Sequence, residues 1–173
     1  MVVSKINSLF TVYCLLFTEM TLFHHVSIRT ANIFRSLAFY ELLGFQVQER
    51  FSSNYTLACW LEGLGSRIEL MQIPEPAPAI DAFNDEHYVG YYHFAMDITE
   101  QSIDLSQWLS ALETSIEKHN SITDENQNHL SFNVLLSPQQ QMIGDKVYEV
   151  AFISDPDNLP IEIIRFLSSI NIS

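Results

Sequence analysis

The sequence predicts an α+β fold made of two copies of one unit, each a strand, a helix and three further strands. Three observations carry that prediction. The order of elements begins again after a Pro- and Ala-rich linker. The first strand of each copy has a central His, His25 and His93, and the last strand of each reads Ile-Glu-aliphatic, IEL at 68–70 and IEI at 161–163. With 173 residues and 47% hydrophobic composition, the chain can bury the core of one ordinary domain, or of two small ones that share a core.

Residues 1–20, in which one Lys precedes a mostly apolar run from Ile6 to Phe17, are set apart as an N-terminal extension. The run resembles a signal sequence only superficially: no small-x-small cleavage site follows, and about 12 residues fall short of a bilayer. Met20, directly before TLFHHV, is an alternative start that leaves residues 1–19 outside the native protein. The first unit is expected over 21–73. A strand at about 22–29 leads into RSLAFYELLGF, where Leu37, Phe39 or Tyr40, Leu42 and Leu43 recur at helical spacing and Gly44 closes the helix. Three strands, FQVQERF, YTLACWLEG and SRIELMQI, are parted by Ser-Ser-Asn and Gly-Leu-Gly turns.

Residues 74–90 read as a linker. The second unit, 91–168, opens with the strand YYHFAMDIT. A helix follows in DLSQWLSALETSIEKHN, with Leu105, Trp108, Leu109, Leu112 and Ile116 on one stripe. Then come the strands LSFNVLLS, KVYEVAFIS and LPIEIIRFL, the last two joined by the turn DPDN. The His-to-Glu interval is 44 residues in the first copy (69 − 25) and 69 in the second (162 − 93), so an insertion is placed at about 119–146.

Charge narrows the function. With 21 acidic against 8 basic side chains and a net charge of −13, the chain lacks the clustered Lys and Arg that a nucleic acid or an anionic membrane surface requires. Cys14 and Cys59 stand at no metal-like or disulfide-framework spacing, which fits a reducing compartment, the cytoplasm. The expected partner is a small-molecule substrate.

Side chains alternate faces along a strand. On the first strand His24, Val26 and Ile28 are expected to face the helix, and His25, Ser27 and Arg29 the opposite side. By the same rule Glu69, His93 and Glu162 point away from the helix-packed surface. One His and one Glu per unit thus lie on non-helix faces, and two imidazoles with two carboxylates suit a first-row divalent ion: Zn or Ni first, then Co, Mn or Fe(II). His87, His119 and His129 fall in linker or insertion and are expected to be solvated.

The segments FHHVSIRTANIFRSLAFYELLGF, RIELMQ, YYHFAMDI and DPDNLPIEII resemble the vicinal oxygen chelate superfamily, which includes glyoxalase I, methylmalonyl-CoA epimerase, extradiol dioxygenases and the bleomycin-resistance proteins. The likeness covers about residues 21–167. It implies two βαβββ modules forming a cup-shaped eight-stranded mixed sheet around a metal site, and a homodimer. Trp60 and Trp108 are then core or cup-wall aromatics. The metal ligand of the first strand in glyoxalase I, ten residues before the Arg of the RS-x-x-FY segment, matches His25; the others match Glu69, His93 and Glu162.

A complete set resembles the glyoxalase type, a lactoylglutathione lyase-like isomerase or lyase that abstracts a proton next to a carbonyl and stabilises an enediolate. Glu162 is the first choice as base and Glu69 the second. Arg29 matches an Arg that holds the glutathione carboxylate. The other glutathione contacts are missing: ELMQIP follows Glu69 without the Asn-Trp expected there, and Val89 and Gln140 stand where basic residues would. The alternatives are a non-catalytic small-molecule binder like the bleomycin-resistance proteins, and an Fe(II) extradiol-type dioxygenase, which uses two His and one Glu.

Overall fold

The computed structural model describes residues 22–53, 56–123 and 128–170; the N-terminal extension lies outside them. The first module consists of β1 (Val26–Thr30), α1 (Ile33–Leu42), β2 (Gln46–Ser53), β3 (Thr56–Gly63) and β4 (Ser66–Gln72). The second consists of β5 (Phe94–Asp97), α2 (Leu105–Ile122), β6 (Val134–Ile143), β7 (Lys146–Ser154) and β8 (Pro160–Ser169). Each module forms its own four-stranded mixed sheet, in the orders β1-β4-β3-β2 and β5-β8-β7-β6. β1 runs parallel to β4 and β5 to β8, while the other pairs are antiparallel. The repeat seen in the sequence is therefore a repeat of topology.

Local chemistry sets the ends of the elements. Asn32 caps α1, its side chain accepting from the backbone N–H of Phe34 and Arg35 at 3.1 and 3.2 Å. Asp104 and Gln107 form a reciprocal capping box at the start of α2. Leu64 and Gly65, both at positive φ (54° and 71°), make the two-residue turn that joins β3 to β4. At Gly63 a Cβ would lie 2.6 Å from the Gly44 carbonyl oxygen, so only glycine fits where the end of α1 crosses this hairpin.

The helix-facing residues of both sheets and both helices share one core. Ile28, Ile68 and Leu70 meet Ile33, Leu37 and Tyr40 of α1, and the same cluster takes in Ile161 and Ile163 of β8 with Leu105, Leu112 and Ile116 of α2. Trp108 and Leu109 pack against it, so the expected α2 stripe is real. The opposite faces lie outside this core and carry buried residues of their own, Ala58 on the first sheet and Val150 and Phe152 on the second.

A polar network joins the modules at one end. The carboxylate of Asp157, in the β7–β8 turn, accepts from Thr30 Oγ1 at 2.5 Å and Ser36 Oγ at 3.3 Å and pairs with Arg35 Nη2 at 2.6 Å. Beside it, Asp155 accepts from the Tyr40 hydroxyl at 3.0 Å and from the backbone N–H of Leu159 and Asp157 at 2.8 and 2.9 Å. The DPDN turn thus latches the second module onto the first turns of α1.

The stretch 119–146, expected as an insertion, holds the end of α2 and all of β6. β6 starts four residues after the expected strand and runs on through SPQQQMI. It is the edge of its sheet, paired on one side alone, which explains how it carries a Pro and an exposed polar run that mask it in the sequence. No helix among the described residues is long and apolar enough to cross a membrane.

Candidate metal and substrate site

Strand pairing brings one His and one Glu together in each module, by the same register. Glu69 on β4 sits opposite Ser27 of β1, and His25 lies two residues before Ser27. Glu162 on β8 sits opposite Ala95 of β5, and His93 lies two residues before Ala95. His25 Nε2 is 3.6 Å from Glu69 Oε2, and His93 Nε2 is 3.2 Å from Glu162 Oε2. The side chains are alike in exposure, 28% and 14% in the first pair and 25% and 15% in the second, so both pairs are partly buried.

Two ligands bound at about 2.1 Å and subtending 90–109° at a metal ion are about 3.0–3.4 Å apart. The His93–Glu162 spacing falls in that range for two adjacent positions around one divalent ion, and the His25–Glu69 spacing lies just above it. Among the described residues, however, no three His, Cys, Asp or Glu side chains gather into a metal-binding group. Each module carries one His–Glu pair of its own.

The surroundings of the two pairs differ. In the first, Trp60 of β3 sits directly across from Glu69, and its indole N–H donates to Glu69 Oε1 at 3.1 Å. Phe51 and His24 pack edge-on against that indole, with ring centroids 5.2 and 5.4 Å away. In the second, Phe152 of β7 occupies the corresponding place across from Glu162. It stacks with Tyr92, and Phe83 of the linker folds onto both rings. Burial, with the charge of Glu162 adding to it, pushes the Tyr92 phenol up. His93 Nδ1 is enclosed without a partner.

The expectation for His24 is overturned. Its Nδ1 lies 2.7 Å from His25 Nδ1, and its ring sits against Trp60 and Arg67, in the surroundings of the His25–Glu69 pair instead of under the helix. β1 starts at Val26, so neither histidine lies within the pleated segment where faces must alternate. Of the other histidines, His87 and His129 are exposed, as expected. His119 is not: it is half-buried at the end of α2, with its Nε2 enclosed and unpartnered.

Arg29 lies apart from both pairs. It lines a cleft of about 920 Å³ between β1, the β7–β8 turn and the linker, walled by Ile73, Pro76, Ile80, Tyr88 and Tyr91; none of the four His and Glu side chains lines it. Val89 is exposed in the linker and Gln140 on β6, so neither position supplies a cation.

The sequence reading missed Trp60, Phe152 and Phe83 as neighbours of the pairs, and Asp157 as the latch. The signal for the first two was present in the hairpins: once Glu69 and Glu162 are placed on β4 and β8, antiparallel pairing selects the residue opposite each.

Two βαβββ modules, each with a His–Glu pair on the sheet face away from its helix, define a paired-module protein. The model of the Glyoxalase/Bleomycin resistance protein/Dioxygenase superfamily matches residues 22–163, and the chain belongs to that superfamily. Solved structures share the fold. A glyoxalase family protein from Enterococcus faecalis superposes with a TM-score of 0.56 at 17% identity, covering 84% of this chain and 98% of that one. One from Bacillus cereus gives 0.56 at 14% identity, covering 88% and 99%. The trypanothione-dependent glyoxalase I of Leishmania major gives 0.50 at 19% identity, covering 84% and 86%. No curated protein matches the sequence.

Proposed function

We propose that the protein is a metal-dependent isomerase or lyase of glyoxalase type, acting on a small vicinal-oxygen substrate as a homodimer. The observation that carries this is the duplicated His–Glu pair, at one register in both modules and with 3.6 and 3.2 Å between imidazole and carboxylate. Among the described residues the two pairs do not come together within one chain, so in this reading a second copy completes each site. A two-fold dimer that sets the first module of one chain against the second module of its partner closes on itself and uses all four donors of each chain. Each site then holds His25 and Glu69 from one chain with His93 and Glu162 from the other.

His25, Glu69, His93 and Glu162 would hold a divalent ion, Zn or Ni first, which would stabilise negative charge on a substrate oxygen. Glu162 takes the proton from the carbon next to the carbonyl and returns it to the neighbouring carbon, so the reaction is an isomerisation with no net change in atoms. Arg29 lines the cleft beside β1, apart from the His–Glu pairs. It contacts the end of the substrate remote from the reacting carbons. With Val89 and Gln140 supplying no charge, the substrate carries fewer anionic groups than a glutathione adduct. The buried thiol of Cys59 suits a cytoplasmic setting.

Metal analysis of protein purified without chelators tests the proposal, with one Ni or Zn per chain and a dimer in solution as the expected result. Iron in its place favours an oxygenase. A monomer with no metal affinity refutes the proposal and leaves the binder reading, which the 920 Å³ cleft away from the His–Glu pairs supports. Glu162→Gln is expected to abolish turnover. Failure of the metal-loaded dimer to convert the methylglyoxal–glutathione hemithioacetal removes that substrate alone.

A further inference from the structure

We propose that Trp60 is a positioning residue that fixes Glu69 through its indole N–H. This rests on reading His25, Glu69, His93 and Glu162 as one donor set. The indole N–H occupies Glu69 Oε1, while Oε2 faces His25, so one oxygen is held by the protein and the other is presented beside the imidazole. The indole is itself confined. Phe51 and His24 lie against its edges, and the Arg67 guanidinium, paired with Glu62, sits 5.4 Å over its ring.

The internal repeat supplies the comparison. Phe152 stands opposite Glu162 as Trp60 stands opposite Glu69, but a phenyl ring donates nothing. Among the described residues Glu162 meets only His93 as a polar partner. The two carboxylates are therefore unequal: Glu69 is oriented before any ion arrives, and Glu162 keeps the freedom to turn. Partners that orient a ligand in this way are worth 10- to 100-fold in metal affinity.

Two variants of the full-length protein separate the N–H from the ring. Trp60→Phe keeps the ring packing and removes only the donor, which makes position 60 like position 152. Trp60→Gln loses the ring but keeps an N–H at similar reach. Co²⁺ is titrated into each metal-free protein, with affinity from equilibrium dialysis and coordination from the visible absorption bands; thermal melts are run alongside.

Trp60→Phe is expected to bind Co²⁺ about 10- to 100-fold more weakly with altered bands at an almost unchanged melting temperature. Trp60→Gln is expected to recover affinity despite a lower melting temperature. Wild-type affinity and spectrum in Trp60→Phe overturn the proposal, and so do equal losses in both variants, which would assign the effect to packing. If the wild-type protein itself binds no Co²⁺, it is the donor-set reading that fails.

Discussion

Asp155 makes the stability of the fold depend on pH in a direction opposite to that of an ordinary ion-paired carboxylate. It is 2% exposed, and burial pushes its carboxyl up from 3.8 to about 6; the backbone N–H of Leu159 opposes the shift, and the charge of Asp157 adds to it. The native state thus holds a proton that the unfolded chain releases between about pH 4 and pH 6. Where the native state binds more protons, stability falls as pH rises. A shift of about two units corresponds to about 3 kcal/mol, present in full below pH 4 and lost by about pH 7.

Other carboxylates titrate over the same range, so the assay is a difference. Urea unfolding of wild type and Asp155→Asn is followed from pH 4 to pH 7.5. The variant keeps an acceptor for the N–H groups of Leu159 and Asp157, and its amide can donate to the Tyr40 hydroxyl, which rotates to accept. Its stability relative to wild type is expected to rise by about 3 kcal/mol across the window. Two curves that stay parallel would show that Asp155 titrates alike in both states, and the account of the buried turn would be wrong.

Three further outcomes follow from the fold. Asp157→Ala strips the Arg35 guanidinium, Thr30 and Ser36 of their shared acceptor and is expected to cost about 3–5 kcal/mol, read as a lower urea midpoint. Asn32→Ala removes the acceptor for two N–H groups at the start of α1 and should cost about 1 kcal/mol by the same measurement. Gly63→Ala puts a methyl against the Gly44 carbonyl and should cost about 1–3 kcal/mol, because the obstacle is backbone with no rotamer to yield; an unchanged midpoint would mean that the α1–β3 crossing relaxes.

The modules were legible because the signals that mark them are local. α2 announced itself by Leu105, Leu112 and Ile116 at helical spacing, and β4 and β8 by alternating aliphatics around a Glu. The second half of β6 was hidden because an edge strand needs no apolar alternation on its open side, so SPQQQMI reads as loop. The four His and Glu residues were legible by face, but the register that brings each His to its Glu was not. Which face a residue takes follows from parity, whereas which residues meet follows from register, and register is a property of two strands at once.

His24 shows where parity itself stops. Alternation holds only inside the hydrogen-bonded ladder, and β1 enters its ladder with β4 at Val26. One residue outside, the backbone is free to turn, and both imidazoles of the His24–His25 pair come to lie against Trp60. His25 nevertheless meets Glu69. The same holds for His93, which precedes β5 by one residue and meets Glu162. Both candidate histidines therefore sit at the mouth of a strand, where the chain can adjust, and both glutamates sit inside a paired strand, where it cannot. In the proposed site this would combine two fixed carboxylate-bearing backbones with two adjustable imidazoles, which suits assembly from two separate chains.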